Sequence, residues 1–209
     1  MDTDLLDRAL ALGAATLHEA AGRIGALPSA IKPVSPEMRL AGPAFTVNIP
    51  AFDNLWIHRA LYRAPRGAIL VVATNGGIEA GYWGDILNEA ALARGLGGLV
   101  IDGGVRDSAG LAAQPFPVFS NGICIRGTIK GFQVPCRIGQ AVAIGPVVIR
   151  PGDLIVGDRD GVVAIPAALA GSVIDAGCAR EADEQAKIAR IRAGERTIEL
   201  YGFGDGDPG

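Results

Sequence analysis

The period of apolar and polar positions changes several times along the chain, and each change marks an element. Between residues 3 and 24 apolar side chains recur at Leu5, Leu6, Leu10, Leu12 and Leu17, the spacing of an amphipathic helix with Thr3 as its candidate cap. A stretch rich in Pro, Ser and Lys, LPSAIKPVSPEMRLAGP, breaks that period and reads as a loop. AFTVNIP (44–50) then reads as a strand, and FDNLWIHRALYRAP (52–65) as a short helix beginning near Asp53. AILVVAT (68–74) is a continuous apolar run of the kind a buried strand uses, and TNGGIEAGYWG (74–84) reads as loop. A helix from Asp85 to Arg94 closes at Gly95, and GLVID (98–102) forms the next strand.

The middle of the chain therefore scans as β-loop-α-β, a parallel crossover unit. From Pro115 onward the pattern changes to short apolar runs punctuated by Gly and Pro: PVFSNG, CIRGTIKGF, VAIGPVVIRPGD and LIVGDRDGVVAIP. That spacing predicts a compact β-sandwich or barrel-like layer. A final helix runs from Pro166 to about Gly194, apolar at first and heavily charged after Arg180, so its far end is solvated or packs on another subunit. RAPRGAILVV (63–72) and IRPGDLIVGD (149–158) echo one another as two similar strand entries, too weakly to define a repeat.

Composition narrows the function classes. The chain has 209 residues, 49% hydrophobic and 20% charged, which fits one folded globular domain. A net charge of −3 argues against nucleic acid as the main partner, since no excess of Lys and Arg offsets phosphates. No apolar run is long enough to span a bilayer, and the acidic start MDTDLLDRAL is unlike a secretory signal, so a cytoplasmic protein without membrane contact is expected. Cys124, Cys136 and Cys178 lack metal-like spacing, and an odd count makes a poor disulfide framework. With only His18 and His58, one chain cannot build a three-histidine zinc site. Lys32, Lys130 and Lys187 lie outside apolar strands, which disfavours lysine-based covalent catalysis.

The crossover unit has a geometric consequence. Parallel strands at 68–74 and 98–102 end at one sheet edge, so the loops 75–84 and 102–107 lie side by side where α/β proteins bind ligands. One loop delivers Asp85 at a helix start; the other delivers Asp102, Arg106 and Asp107, with Gly103 and Gly104 allowing a sharp turn. The helix opening at Gly84 leaves the N–H groups around Ile86 and Leu87 without intrahelical partners, which suits a carboxylate or phosphate. Arg106 adds a planar donor fork for a carboxylate or enolate oxygen. Carboxylates beside such a gap suit a hard divalent ion, Mg²⁺ or Mn²⁺, with water in the remaining positions.

Each residue also has a plainer role. Asp85 suits a helix N-cap, Arg106-Asp107 a surface pair, and glycines 76, 77, 81 and 84 turn geometry alone. What favours a site is that complementary groups converge on one sheet edge. His18-Glu19 reads as structural, His58 beside Trp56 as packing, and GDRDG (157–161) as a hairpin turn, since it lacks the spacing of a calcium loop. Neither a G-x-x-x-x-G-K-[ST] phosphate loop nor a G-x-S-x-G elbow is present.

Gly84-Asp85, followed across residues 86–105 by Arg106-Asp107, resembles the signature of the RraA-like family. HEAAGRIGALPSAIKPV, DNLWIHRAL, RPGDLIVGDRDGVVAIP and the closing charged helix with ELYGF extend the resemblance over most of the chain. It implies a layered α/β/β domain of the swivelling type with a projecting C-terminal helix, assembled as a homotrimer or homohexamer with interfacial active sites. The family includes class II pyruvate aldolases acting on 4-hydroxy-4-methyl-2-oxoglutarate and 4-carboxy-4-hydroxy-2-oxoadipate, which also decarboxylate oxaloacetate. By that resemblance Arg106 binds the pyruvate moiety and stabilises the enolate, and Asp107 ligates Mg²⁺ or Mn²⁺. Asp85 then holds metal-bound water, and the amides of Ile86 and Leu87, following Gly84, receive the substrate carboxylate. An acidic residue from a neighbour's last helix, Glu181 or Glu184, is expected near the metal. The family also contains regulators of ribonuclease E, an alternative function of a different class. Such regulators need not keep the acid before the crossover helix, which Asp85 supplies here. The methyltransferase label attached to some members finds no support, because a strand–GxGxG–helix cofactor loop is missing.

Overall fold

The computed structural model describes residues 1–131, 136–204 and 206. The chain opens with α1 (Thr3–Ala20), which is not the single helix expected over 3–24. Gly13 takes a left-handed φ of 77° and breaks it in two, and the freed Ala14 N–H donates to Asp158 Oδ2 at 2.7 Å. The helix starts after Asp2 without a side-chain cap, and beyond Ala20 positive φ at Gly22 and Arg23 turns the chain away.

β1 (Lys32–Pro33) and β2 (Leu40–Asn48) follow. β2 begins before residue 44 because Leu40–Pro43 pair with a strand more than a hundred residues later, a contact that local alternation cannot register. α2 (Leu55–Leu61) is shorter than the predicted 52–65. Next come β3 (Ile69–Ala73), β4 (Gly81–Trp83), α3 (Asp85–Arg94), β5 (Gly98–Ile101), β6 (Gly104–Val105), α4 (Ser108–Ala113) and β7 (Val118–Ser120). α3 closes as expected on a left-handed Gly95. The remainder is β8 (Arg137–Ile138), β9 (Val142–Ile144), β10 (Val147–Ile149), β11 (Leu154–Asp158), β12 (Gly161–Ile165), α5 (Ala170–Arg192) and α6 (Thr197–Leu200).

The main sheet runs β1-β7-β5-β3-β2-β11-β12, with β8 also on β2. β2, β3, β5 and β7 are mutually parallel, as the crossover reading requires, while β1, β11 and β12 add antiparallel edges. The barrel-like layer expected from Pro115 onward takes the form of a continuation of this sheet, which nearly closes on itself. β7, β11 and β12 extend the same sheet, and β9–β10 alone stand apart as a hairpin. CIRGTIKGF contributes one isolated bridge, Ile129 to Asp53, in place of a strand among its described residues; its last residue, Phe132, lies outside them. The sheet curls until its ends nearly meet: Lys32 Nζ of β1 donates to the Asp160 carbonyl in the β11–β12 turn, and the Phe119 ring of β7 fills the space above Gly157.

The entries to β3 and β11, whose sequences echo one another, flank β2 on opposite sides. A core that includes Ile69, Leu70, Val71, Leu99, Val100 and Ile101 buries both faces of β3 and β5 and takes in residues of α2 and α3. A second cluster, built from Leu12, Leu17, Leu154, Val156, Val163 and Ile174, seats α1 and α5 on β11–β12. Beyond Arg180 α5 loses its buried positions, as its charge pattern predicts. Asp153 ties this half together, accepting from Arg150 N–H at 2.7 Å and Ala167 N–H at 3.0 Å at the entry to α5. No helix among the described residues is long and apolar enough to cross a membrane.

Candidate functional site

β3 and β5 end side by side, and the loops that follow them are themselves zipped together. β4 and β6 form a short parallel ladder, Gly81 opposite Gly104 and Trp83 opposite Val105, so the segment read as pure loop contains a strand. Arg106 N–H extends the ladder to the Trp83 carbonyl at 2.8 Å. The ladder therefore sets Gly84-Asp85 beside Arg106-Asp107. Trp83 is anchored from below: it stacks on Phe116, and its Nε1 donates to Asn88 Oδ1 at 2.9 Å.

Glycine here mainly serves close approach. Of glycines 76, 77, 81 and 84, Gly76 alone has positive φ, and neither Gly103 nor Gly104 does. A Cβ at Gly84 would lie 2.2 Å from Asp107 Oδ2, and one at Gly104 2.7 Å from the Ala80 carbonyl. The two loops touch backbone to backbone, and side chains between them would push the carboxylates away.

Asp107 itself sits in the left-handed region at φ 58° and ψ 36°, a conformation that Asp tolerates better than most residues. Its Oδ2 accepts the Asp85 N–H at 3.2 Å, so the first amide of α3 is capped from the neighbouring loop. The N-cap position belongs to Gly84, and Asp85 is the first helical residue without a capping hydrogen bond, contrary to the plain N-cap role. The Asp85 carboxylate packs against Gly110, where a Cβ would come within 2.2 Å, and its Oδ1 is buried without a hydrogen-bond partner. A buried carboxylate oxygen without a protein donor marks a place for a donor or cation, since leaving one unsatisfied costs about 1–3 kcal/mol. Arg106 lies 3.7 Å from Asp107 with both side chains about half exposed, a separation too solvated to add much stability.

Two depressions meet at this pair. A cleft of about 200 Å³ is walled by the start of α3, Arg106 and Asp107 on one side and by Asn54, His58 and Lys130 on another. Ile86 and Leu87 line it, and their N–H groups in the first helical turn have no intrahelical acceptor. Arg106 and Asp107 also line a shallower depression with Asp85, Gly110, Ile123 and Ile125. All of the sequence-derived site residues, Gly84, Asp85, Ile86, Leu87, Arg106 and Asp107, thus border one connected region.

His58, read from sequence as packing, instead faces the cleft, and Lys130, assigned no role, joins it. Burial, and then the nearby Lys130 ammonium, hold the His58 imidazole below its usual range. No local motif marks these residues, because α2 and the 129–131 segment meet the loops through tertiary pairing alone. Asp102, delivered by the same loop as Arg106, turns inward: its Oδ1 accepts Thr74 N–H at 2.6 Å, and burial pushes its carboxyl above the usual range. His18 hydrogen-bonds the Ile24 carbonyl at 3.0 Å, a structural role as expected. GDRDG forms the β11–β12 turn, with Asp158 also capping the break in α1. Glu181 and Glu184 lie on α5 away from this chain's own cleft, Glu184 paired with Arg180 at 2.9 Å.

The donor set fits a hard divalent cation in kind. Asp107 and Asp85 offer carboxylate oxygens, one of them buried and unpartnered. Among the described residues no three His, Cys, Asp or Glu side chains converge, so this chain would supply two ligands at most, with water, substrate or a second chain supplying the others.

Comparison with known proteins places the chain in a family. The chain is 35% identical over 176 residues to a protein of Halalkalibacterium halodurans provisionally named a 4-hydroxy-4-methyl-2-oxoglutarate aldolase, covering 84% of this chain and 82% of that one. Among solved structures, an uncharacterized protein from Pseudomonas syringae pv. tomato superposes with a TM-score of 0.83 at 29% identity, covering 98% of this chain and 95% of the other. Streptomyces coelicolor RraAS2, described as an unusual member of the RNase ES inhibitor RraA family, superposes with a TM-score of 0.74 at 25% identity over 91% and 97% of the two chains. The RraA-like family model matches residues 3–164, which hold the curled sheet, both zipped loops and the whole cleft; the chain belongs to the Aldolase/RraA family.

Proposed function

We propose that the cleft cleaves a 4-hydroxy-2-oxo di- or tricarboxylic acid, such as 4-hydroxy-4-methyl-2-oxoglutarate, to pyruvate and a second oxo acid, and decarboxylates oxaloacetate. The observation that carries this reading is the juxtaposition of the α3 N-terminus, Arg106 and Asp107 around one small cleft. The similarity to a provisionally named aldolase over most of both chains supports it.

In this reading the N–H groups of Ile86 and Leu87 receive the carboxylate of the pyruvate half, where the helix dipole favours negative charge. Arg106 stabilises the oxyanion that develops on the 2-oxo oxygen as the carbon–carbon bond breaks. Lys130 and His58, on the wall built by α2 and the 129–131 segment, face the carboxylate of the leaving half. Asp107 and, through water, Asp85 would hold Mg²⁺ or Mn²⁺, which when bound supplies Lewis-acid polarisation of the 2-oxo group. A neighbouring copy's Glu181 or Glu184 completes the donor set, so the working form is a homotrimer or homohexamer.

The test is coupled pyruvate release over a panel of 4-hydroxy-2-oxo acids and oxaloacetate. EDTA is expected to silence turnover and Mg²⁺ or Mn²⁺ to restore it; Asp107→Ala and Arg106→Ala are each expected to abolish it with folding intact. Chelator-resistant turnover, or full activity in either variant, would overturn the assignment. The second reading, inhibition of ribonuclease E by protein binding, draws on the likeness to RraAS2. Inhibited RNA processing with no pyruvate release under any condition would decide for it.

A further inference from the structure

Lys130 reaches the cleft from an exposed segment, and three bonds tie that segment to the body. Ile129 N–H donates to the Phe52 carbonyl at 2.9 Å, and Asn54 N–H donates to the Ile129 carbonyl at 3.2 Å, a parallel bridge centred on Asp53. The third bond runs from Gly131 N–H to Asp53 Oδ2 at 2.5 Å. Asp53 is buried, 1% exposed, and its other oxygen, Oδ1, accepts Leu55 N–H at 2.8 Å at the start of α2. Capping Leu55 requires one acceptor, which Ser, Thr or Asn supplies as well as Asp. A second acceptor on the same side chain, facing a donor 78 residues away, is what a carboxylate adds.

We infer that Asp53 is a positioning residue for the leaving-half wall: by holding Gly131 and Leu55 on its two oxygens, it sets Lys130 beside His58 on that wall. The inference rests on the reading of that cleft as an oxo-acid site, but its structural half stands independently. Asp53 touches no substrate and acts through Lys130. Losing the Gly131 bond leaves Lys130 tethered by its neighbours yet free to swing into solvent, which weakens substrate binding more than it slows turnover.

The experiment is a double-mutant cycle of Asp53→Asn and Lys130→Met, read in two ways. Asn keeps an oxygen for Leu55 N–H but turns an NH₂ toward Gly131, so it cuts the strap selectively; Asp53→Ser, which retains the cap and lacks the reach, is the second variant should Asn disturb folding. In the kinetic arm Asp53→Asn is expected to raise KM for oxaloacetate about tenfold, roughly one lost charged contact, with kcat within about threefold. On the Lys130→Met background it is expected to add nothing, because the two residues act as a unit. In the second arm the His58 titration midpoint is followed by NMR of the whole protein without substrate. Asp53→Asn and Lys130→Met are each expected to raise the midpoint, and the double variant to match Lys130→Met. Additive effects on KM, or a further rise of the midpoint in the double variant, would overturn the inference by showing that Asp53 acts on α2 and not through Lys130. If the wild-type protein releases no pyruvate, the oxo-acid reading fails and the His58 arm alone decides the role of Asp53.

Discussion

Asp107 carries more constraint than any other residue of the cleft. It stands in a left-handed conformation, caps the first amide of a helix it does not belong to, and lies within van der Waals range of a glycine with no room to become anything larger. Gly84→Ala tests that arrangement directly. The added methyl has to displace either the Asp107 carboxylate or the β4–β6 ladder; the expected cost is about 1–3 kcal/mol of stability by overpacking. Pyruvate release is expected to fall at least about tenfold, more than a stability change of that size produces in a protein that remains folded. Denaturant unfolding and steady-state kinetics on one preparation separate the two effects, and wild-type kcat/KM in a folded Gly84→Ala protein would show that the close approach is dispensable. The residue identities were legible as a pattern, since an acid at a helix start and an Arg-Asp pair after a strand read directly from the chain. Why the glycines are there was not. Sequence suggests turns, whereas five of the six glycines in the two loops lack the left-handed backbone.

Among the elements, α1 and α2 show how distant contacts set boundaries. Apolar spacing from Leu5 to Leu17 belongs to one continuous helix, yet Gly13 divides it. The division is stable because the Asp158 carboxylate, arriving on the β11–β12 turn, takes the orphaned Ala14 N–H. Asp158→Ala removes that acceptor and the turn bond to Asp160 N–H together. The expected loss is about 1–2 kcal/mol, the range of a helix cap, seen as a lower denaturant midpoint with unchanged slope. An unchanged midpoint would mean that water caps Ala14 equally well. α2 shortens for a related reason: Asp53 and the pairing of Phe52 and Asn54 with Ile129 hold the residues before Leu55 in a bridge, not in a helical turn.

At the level of the molecule, the sheet curls until β1 faces the β11–β12 turn, and some of the exposed apolar residues lie at the cleft or on the segments that border it. Ile86, Ile123, Ile125 and Ile129 are all exposed, Ile125 at 92%, beside a site whose own chain offers two carboxylates. Isolated apolar residues are ordinary on a surface, but a rim of them around a charged cleft fits burial by a second copy. Light scattering coupled to gel filtration is expected to give a trimer or hexamer, and Ile125→Arg is expected to shift it toward monomer; a wild-type monomer would exclude the interfacial site.

What the sequence determined by itself was the crossover unit and its charged ending. The apolar runs at 68–74 and 98–102, with a helix period between them, permit little other than parallel neighbours, and parallel neighbours must end at one edge. That alone brings Asp85, Arg106 and Asp107 into reach of one another. The tertiary structure decided everything that depends on pairing between distant segments. β11 and β12 joined the main sheet, because β2 offered Leu40–Pro43 as a free edge. His58 and Lys130 entered the cleft because Ile129 bridges to Asp53. Periodicity reports which way a residue faces within its own element; it carries no record of which remote backbone will satisfy that element's hydrogen bonds, and those bonds closed the site.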